Sequence, residues 1–214
     1  MSLGSAIRGV LGNRLSRWVG YYYRAAFVDL AKVAQAFSAN IPASSHVLDV
    51  GGGDGVPLNY LLDLRADLTI TSIDLAPVVG QWLDPRHAGR VVRMPSTSID
   101  QYLALGQPRP DILLLSDVMH HIPNAERSTF FASVSALLQL CPRMKIIVKD
   151  VEPGFARSLL GYWADKYITG DKSVSPISRG QLISLVKNSL GPISVEETEL
   201  FAADKPNYAL VFFR

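Results

Sequence analysis

Four clusters of residues with chemistry to offer stand out in the chain. Asp49 sits two positions before Gly51-Gly52-Gly53-Asp54-Gly55, and Asp74 closes the segment TITSID. Ser116-Asp117-Val118-Met119-His120-His121 follows the apolar run Ile112 to Leu115, and Lys149-Asp150-Val151-Glu152 follows Ile146 to Val148. A glycine loop after a strand lets the chain turn tightly and lets a ligand touch its backbone. A helix N-terminus beyond the loop adds unpaired N–H groups and partial positive charge. A carboxylate at the end of the next strand can accept hydrogen bonds from both hydroxyls of a ribose. Dinucleotide sites use the same acid, so Asp74 alone does not choose between ligands. The loop does. Dinucleotide binders read G-x-G-x-x-G and make room for a pyrophosphate, whereas this loop reads D-x-G-x-G-x-G. Carboxylates at Asp49 and Asp54 repel a pyrophosphate and favour a cation.

The histidine pair offers a different chemistry. An imidazole titrates near neutral pH and suits a general base for a hydroxyl or carbon acid. His121 and His120 are therefore candidate bases, and hydrogen bonding within their own loop is the alternative role. Asp117 and Asp150 are candidates to orient a bound molecule, with loop capping as the alternative. No metal-ligand spacing stands out among these acids and histidines, so no metal is expected.

The elements that must position these residues alternate along the chain. Short apolar runs indicate strands near 46–50, 69–74, 90–93, 111–116 and 144–149. Helical periodicity between them indicates helices near 57–65, 77–83, 98–105 and 124–139. This order implies a mainly parallel sheet with helices on both faces. A helix near 178–190 and strands near 194–201 and 207–213 follow, the last two joined by a turn at Asp204-Lys205-Pro206-Asn207 and so antiparallel. Ahead of the alternation, Leu3, Ile7, Val10, Leu11, Leu15 and Trp18 make one helical stripe, with Arg8, Arg14 and Arg17 among them. Phe27, Leu30, Ala31, Ala34 and Phe37 make a second. Residues 1–40 thus form a helical cap before a domain at 41–214. The basic first helix has three readings: a lid over the site, a dimer contact, or attachment to a membrane surface.

Bulk composition narrows the partners. Hydrophobic residues make up 48% of the 214 residues, enough for a large core. A net charge of +2 is too near neutral for a strong nucleic-acid footprint. Cys141 is the only cysteine, which fits a reducing, cytoplasmic setting. No apolar run reaches the roughly 18 residues of a membrane span, and no signal-peptide pattern opens the chain.

Taken together, these segments resemble the class I S-adenosylmethionine-dependent methyltransferases of small-molecule type, similar to methyltransferase types 11 and 12. VLDVGGGDG looks like their first motif and TSIDLA like their second. PDILLLSDVMHHIP looks like the fourth-strand motif and MKIIVKDVEP like the fifth. The resemblance implies a Rossmann-like doubly wound sheet of seven strands, ordered 3-2-1-4-5-7-6 with strand 7 antiparallel. It implies S-adenosylmethionine as cofactor, whose amino group and sulfonium are cationic, and S-adenosylhomocysteine as product. Asp49 would orient the methionine end, Gly51, Gly52 and Gly53 would let the cofactor approach, and Asp74 would bind the ribose, with Leu75 against the adenine. The family often places an acid after the third strand, and this chain has Arg93-Met94-Pro95-Ser96-Thr97-Ser98 there. Met94 is then the candidate to pack on the adenine, and Ser96 or Thr97 the candidate hydroxyl. Asp117 is expected at the cofactor as well as at the reaction centre.

The acceptor implied is a small molecule, apolar or aromatic in part, because Tyr22, Trp163 and Tyr167 lie in segments able to cover the site. SDVM is not the N-P-P-Y-type segment of family members acting on nucleic acids or protein amides. Two other readings remain: a non-catalytic cofactor-binding scaffold on the same fold, and a dinucleotide-dependent oxidoreductase, against which the glycine spacing counts.

Overall fold

The computed structural model describes residues 28–155, 158, 174–198, 200 and 206–214. Its frame is one sheet of β1 (His46–Val50), β2 (Thr69–Ile73), β3 (Val91–Met94), β4 (Ile112–Ser116), β5 (Lys145–Val151), β6 (Ser194–Glu197) and β7 (Asn207–Phe213). The strand order is β3-β2-β1-β4-β5-β7-β6. β1 to β5 pair in parallel, and β7 runs antiparallel to both β5 and β6. The central strands are buried along nearly their whole length, as strands covered on both faces must be.

The pleat sends alternate residues to two cores. Leu48, Leu113, Leu115, Ile146 and Val148 face one core, closed by α3 (Ile99–Ala104), α4 (Arg127–Leu140) and α5 (Arg179–Leu190). Val47, Ile112, Leu114 and Ile147 face the other, closed by α1 (Leu30–Asn40) and α2 (Val56–Leu64). In α1, Val33, Ala34 and Phe37 recur at helical spacing and are buried with Leu58 and Leu61 of α2. Val33, Phe37, Leu58 and Leu61 each contribute about 1.5–3 kcal/mol on burial, and Ala34 less. Local signals set the helix starts. Ser98 with Gln101 and Ser178 with Gln181 form capping boxes at α3 and α5, and Asp29 accepts from the Lys32 N–H at α1.

One expected element is absent. The stretch 77–83 forms no helix; the chain runs through turns into a 3-10 helix at Pro85–Arg90. The reason is tertiary. Gly80, at φ +64°, donates its N–H to the Gly53 carbonyl at 2.8 Å, and Trp82 donates to the Asp54 carbonyl at 2.8 Å. The segment spends its backbone groups on bracing the glycine loop instead of on its own i→i+4 bonds. β6 also ends at Glu197, earlier than the expected 201. Of the expected turn, Asp204 and Lys205 lie outside the described residues, as do the first helical stripe, Tyr22, Trp163 and Tyr167.

Candidate functional site

Gly51 to Asp54 continue straight from β1 into a turn that α2 leaves at Val56, with Pro57 in its first turn. The N–H groups of Gly51 and Gly52 both donate to the Ile73 carbonyl, at 2.9 and 3.2 Å, which fastens the loop to the end of β2. Gly52 has no room for a side chain. A Cβ there would fall on the Ser72 hydroxyl and 2.5 Å from Asp49 Oδ2. Gly53, at φ +52°, turns its N–H toward the Asp74 carboxylate, 2.9 Å away. The second oxygen of Asp74 accepts from the Ala76 N–H at 2.8 Å. The two expected ligand-binding features, loop and acid, are thus joined to each other.

Asp49 lies beneath this loop rather than in it. It is buried, and its Oδ2 accepts from the Ser72 hydroxyl at 2.7 Å. Burial pushes its carboxyl up to about 7; the Ser72 bond opposes this and the charge of Asp74 adds to it.

Above the loop opens a cavity of about 770 Å³. Gly51 to Asp54, Asp74 and the highly exposed Leu75 form one wall. Thr97, Ser98 and Ile99 form the next, tied in by the Thr97 N–H on the Asp74 carbonyl at 2.8 Å. Met94 and Ser96 are not in that wall. Met94 packs against the core, and Ser96, at φ +52°, makes an exposed turn whose N–H donates to the Ala76 carbonyl. Ser116, Asp117, Val118 and His121 close the side at the tip of β4. Glu126, Thr129, Phe130 and Ser133, one face of α4 and its N-cap, complete the enclosure. Sequence reasoning missed that face. Its signal was present as positions 126, 129, 130 and 133, a helical stripe carrying hydroxyls, an acid and an aromatic ring.

Two acid–base pairs stand behind the tip of β4. Asp117, at φ +59°, lines the cavity and receives the Lys149 Nζ at 2.6 and 2.8 Å. His120 is buried, its Nδ1 2.6 Å from Asp150 Oδ1 and its backbone N–H 3.1 Å from Asp150 Oδ2. Burial pushes the Asp150 carboxyl up, but His120, the Val151 N–H and Lys149 outweigh it and hold it below the usual carboxylate range. Asp150 therefore sits under the site and does not line it. His121 is the exposed histidine, its ring centroid 4.1 Å from that of His120. Arg127, which sequence reasoning also missed, is buried beside this turn. Its guanidinium donates to the carbonyls of Ile122, Met119 and Ser175, while the Ser175 N–H donates to the His120 carbonyl. Ligand atoms of Asp117, His120 and Asp150 lie within 4.8 Å of one another, and the Lys149 ammonium supplies a cation of the chain's own among them.

A family model described as "Methyltransferase domain" matches residues 22–189, most of the chain. The chain belongs to this family, the class I S-adenosylmethionine-dependent methyltransferases. No curated protein matches the chain in sequence. Solved structures share its fold. Mitomycin 7-O-methyltransferase MmcR superposes with a TM-score of 0.68 at 19% identity, over 100% of this chain and 61% of its own. CalO1, a methyltransferase in calicheamicin biosynthesis in its SAH-bound form, gives 0.64 at 19%, over 99% and 60%. Human N-acetylserotonin methyltransferase in complex with SAM gives 0.60 at 17%, over 99% and 59%. The chain thus spans about three-fifths of the length of these three proteins.

The cavity suits the family's cofactor. Asp54, Asp74, Asp117 and Glu126 face it, and among the described residues no lysine or arginine lines it. A cationic ligand fits that wall, and a pyrophosphate does not. The volume lies within the range of small-molecule sites. No helix among the described residues is long and apolar enough to cross a membrane.

Proposed function

We propose that the chain transfers a methyl group from S-adenosylmethionine to a hydroxyl oxygen of a small molecule. The observation that carries the reading is the cavity wall, in which four carboxylates and one histidine stand around a glycine loop and, among the described residues, no cationic side chain lines the cavity, Lys149 meeting Asp117 from behind the wall. In this reading Asp74 holds the ribose and Gly51 to Gly53 allow close approach. Leu75, with Thr97 and Ser98, flanks the adenine, in the place expected of Met94 and Ser96. Asp49 acts from below the loop on the methionine end, and Asp117 faces that end from β4. Oxygen as the accepting atom is supported by the name of mitomycin 7-O-methyltransferase, a structural neighbour. Small, partly apolar acceptors suit Ile122 and Phe130 across the cavity. The single cysteine suits the cytoplasm.

The bound cofactor supplies an electrophilic methyl on a sulfonium sulfur. The cavity walls align the acceptor oxygen with that methyl, the main demand of an in-line displacement. Since that sulfur would leave as a neutral thioether, the proton left for the chain to manage is the acceptor's own. His121 takes the hydroxyl proton. The His120–Asp150 pair behind it fixes the turn that carries it.

Calorimetry with S-adenosylhomocysteine and with NAD, followed by transfer of labelled methyl from S-adenosylmethionine to a panel of phenols, alcohols and amines, tests the reading. Binding of the first ligand alone, with label on hydroxyl acceptors, is the expected result. Binding of NAD alone overturns it. Cofactor binding with label on no acceptor favours a scaffold.

A further inference from the structure

Lys149 is fully buried, yet it carries an ammonium. Taking an ion of this size out of water costs several kcal/mol, and an apolar chain at the same place in β5 would avoid that cost. The ammonium meets both oxygens of Asp117, at 2.6 and 2.8 Å, and the Asp117 N–H donates to the Lys149 carbonyl at 2.9 Å. One residue therefore grips Asp117 by side chain and by backbone. Asp117 needs gripping, because φ +59° is an uncommon conformation for a residue with a Cβ and costs on the order of 1–2 kcal/mol. The grip leaves work for the carboxylate to do. An ionised carboxyl has about four acceptor sites. Lys149 takes two from inside, while 38% of the Asp117 side chain stays exposed, on the cavity wall.

We propose that Lys149 is a positioning residue for methyl transfer: it holds the Asp117 carboxylate at the cavity wall, where the remaining acceptor sites receive the ammonium group of the cofactor's methionine half. This rests on the cofactor reading above. Lys149 itself touches no substrate; its effect passes through Asp117. The pair is asymmetric. Without Lys149, Asp117 still reaches water. Without Asp117, Lys149 is a buried cation that has lost its hydrogen-bonded carboxylate and keeps only the more distant charge of Asp150.

The test is a cycle of Lys149→Met, Asp117→Asn and the double variant, with affinity for S-adenosylhomocysteine read by calorimetry and stability by thermal unfolding. Lys149→Met should fold and bind about tenfold more weakly, the worth of one hydrogen bond to a charged group. The double variant should bind no more weakly than Lys149→Met, because both remove the same contact. It should also be more stable than Asp117→Asn, and it stands in for that variant if the single change does not fold. Wild-type affinity in Lys149→Met overturns the proposal, as does a double variant whose losses add. Ligand-free crystal structures of wild type and Lys149→Met give a second reading. Asp117 should leave positive φ in the variant, and an unmoved Asp117 overturns the proposal. A wild type that binds no S-adenosylhomocysteine overturns the cofactor reading instead, and the crystal comparison still decides the role of Lys149.

Discussion

The Asp74 carboxylate accepts the Gly53 N–H at 2.9 Å, so the acid at the end of β2 and the loop at the end of β1 form one unit. Asp74→Ala removes the proposed ribose acceptor and this tie together. Calorimetry with S-adenosylhomocysteine should show affinity falling tenfold to a hundredfold, about 1.5–3 kcal/mol for charged hydrogen bonds. An affinity within twofold of wild type removes Asp74 from the ribose.

Gly52 is set by contact with Ser72 and Asp49. Gly52→Ala should destabilise the protein by about 1–3 kcal/mol, as overpacking does. Urea unfolding measures it. Ser72→Ala in the same chain should recover part of the loss, and no loss in the single variant contradicts the packing.

Asp49 predicts a pH dependence of opposite sign to that of an ordinary ion-paired acid. Its folded pKa, about 7, lies above its unfolded value, so the folded state binds the extra proton between about pH 4 and 7. Stability from this group should fall as pH rises through that window and level off above it. Asp49→Asn should therefore gain on wild type in melting temperature between pH 5 and pH 8. Affinity for the cationic S-adenosylmethionine should rise in wild type from pH 6 to 8 and stay flat in the variant. Parallel titrations of the two proteins would refute the assignment.

Asp150 behaves in the ordinary direction. Its folded pKa is depressed, so its contribution is present above the unfolded value, near pH 4, and is lost as pH falls through the folded one. Asp150→Asn breaks a buried pair and should cost about 3–5 kcal/mol at pH 7. His121→Ala, on the cavity side, should leave stability nearly unchanged and lower kcat about a hundredfold or more. Equal stability losses in the two variants would contradict this division between the histidines.

Much of the frame was legible because it rests on local rules. Apolar runs as short as Ile112 to Leu115, bounded by turn residues, suit buried strands, and Ser98 and Ser178 announce the helices that follow them. The glycines flanked by Asp49, with Asp74 after the next strand, marked the loop and its acid. What failed was what other parts of the chain decide. The stretch 77–83 has helical spacing, yet Gly80 and Trp82 bond to the glycine loop. His120 stood beside His121 as a candidate base and Asp150 beside Asp117 as a candidate to orient substrate, and the pleat and turn bury His120 and Asp150. Lys149, two positions past Ile147, carried no sign of a buried ammonium.

The sequence by itself determined the order of elements, the strand on which each acid falls and a loop suited to a cation, because those follow from periodicity and residue chemistry along the chain. Only the tertiary structure decided that Lys149 grips Asp117, that His121 and not His120 faces the cavity, and that α4 supplies the far wall. Those relations join residues about 30 positions or more apart, or hang on how one turn seats on the sheet. Burial and close contact, not spacing, set the charge and direction of each group.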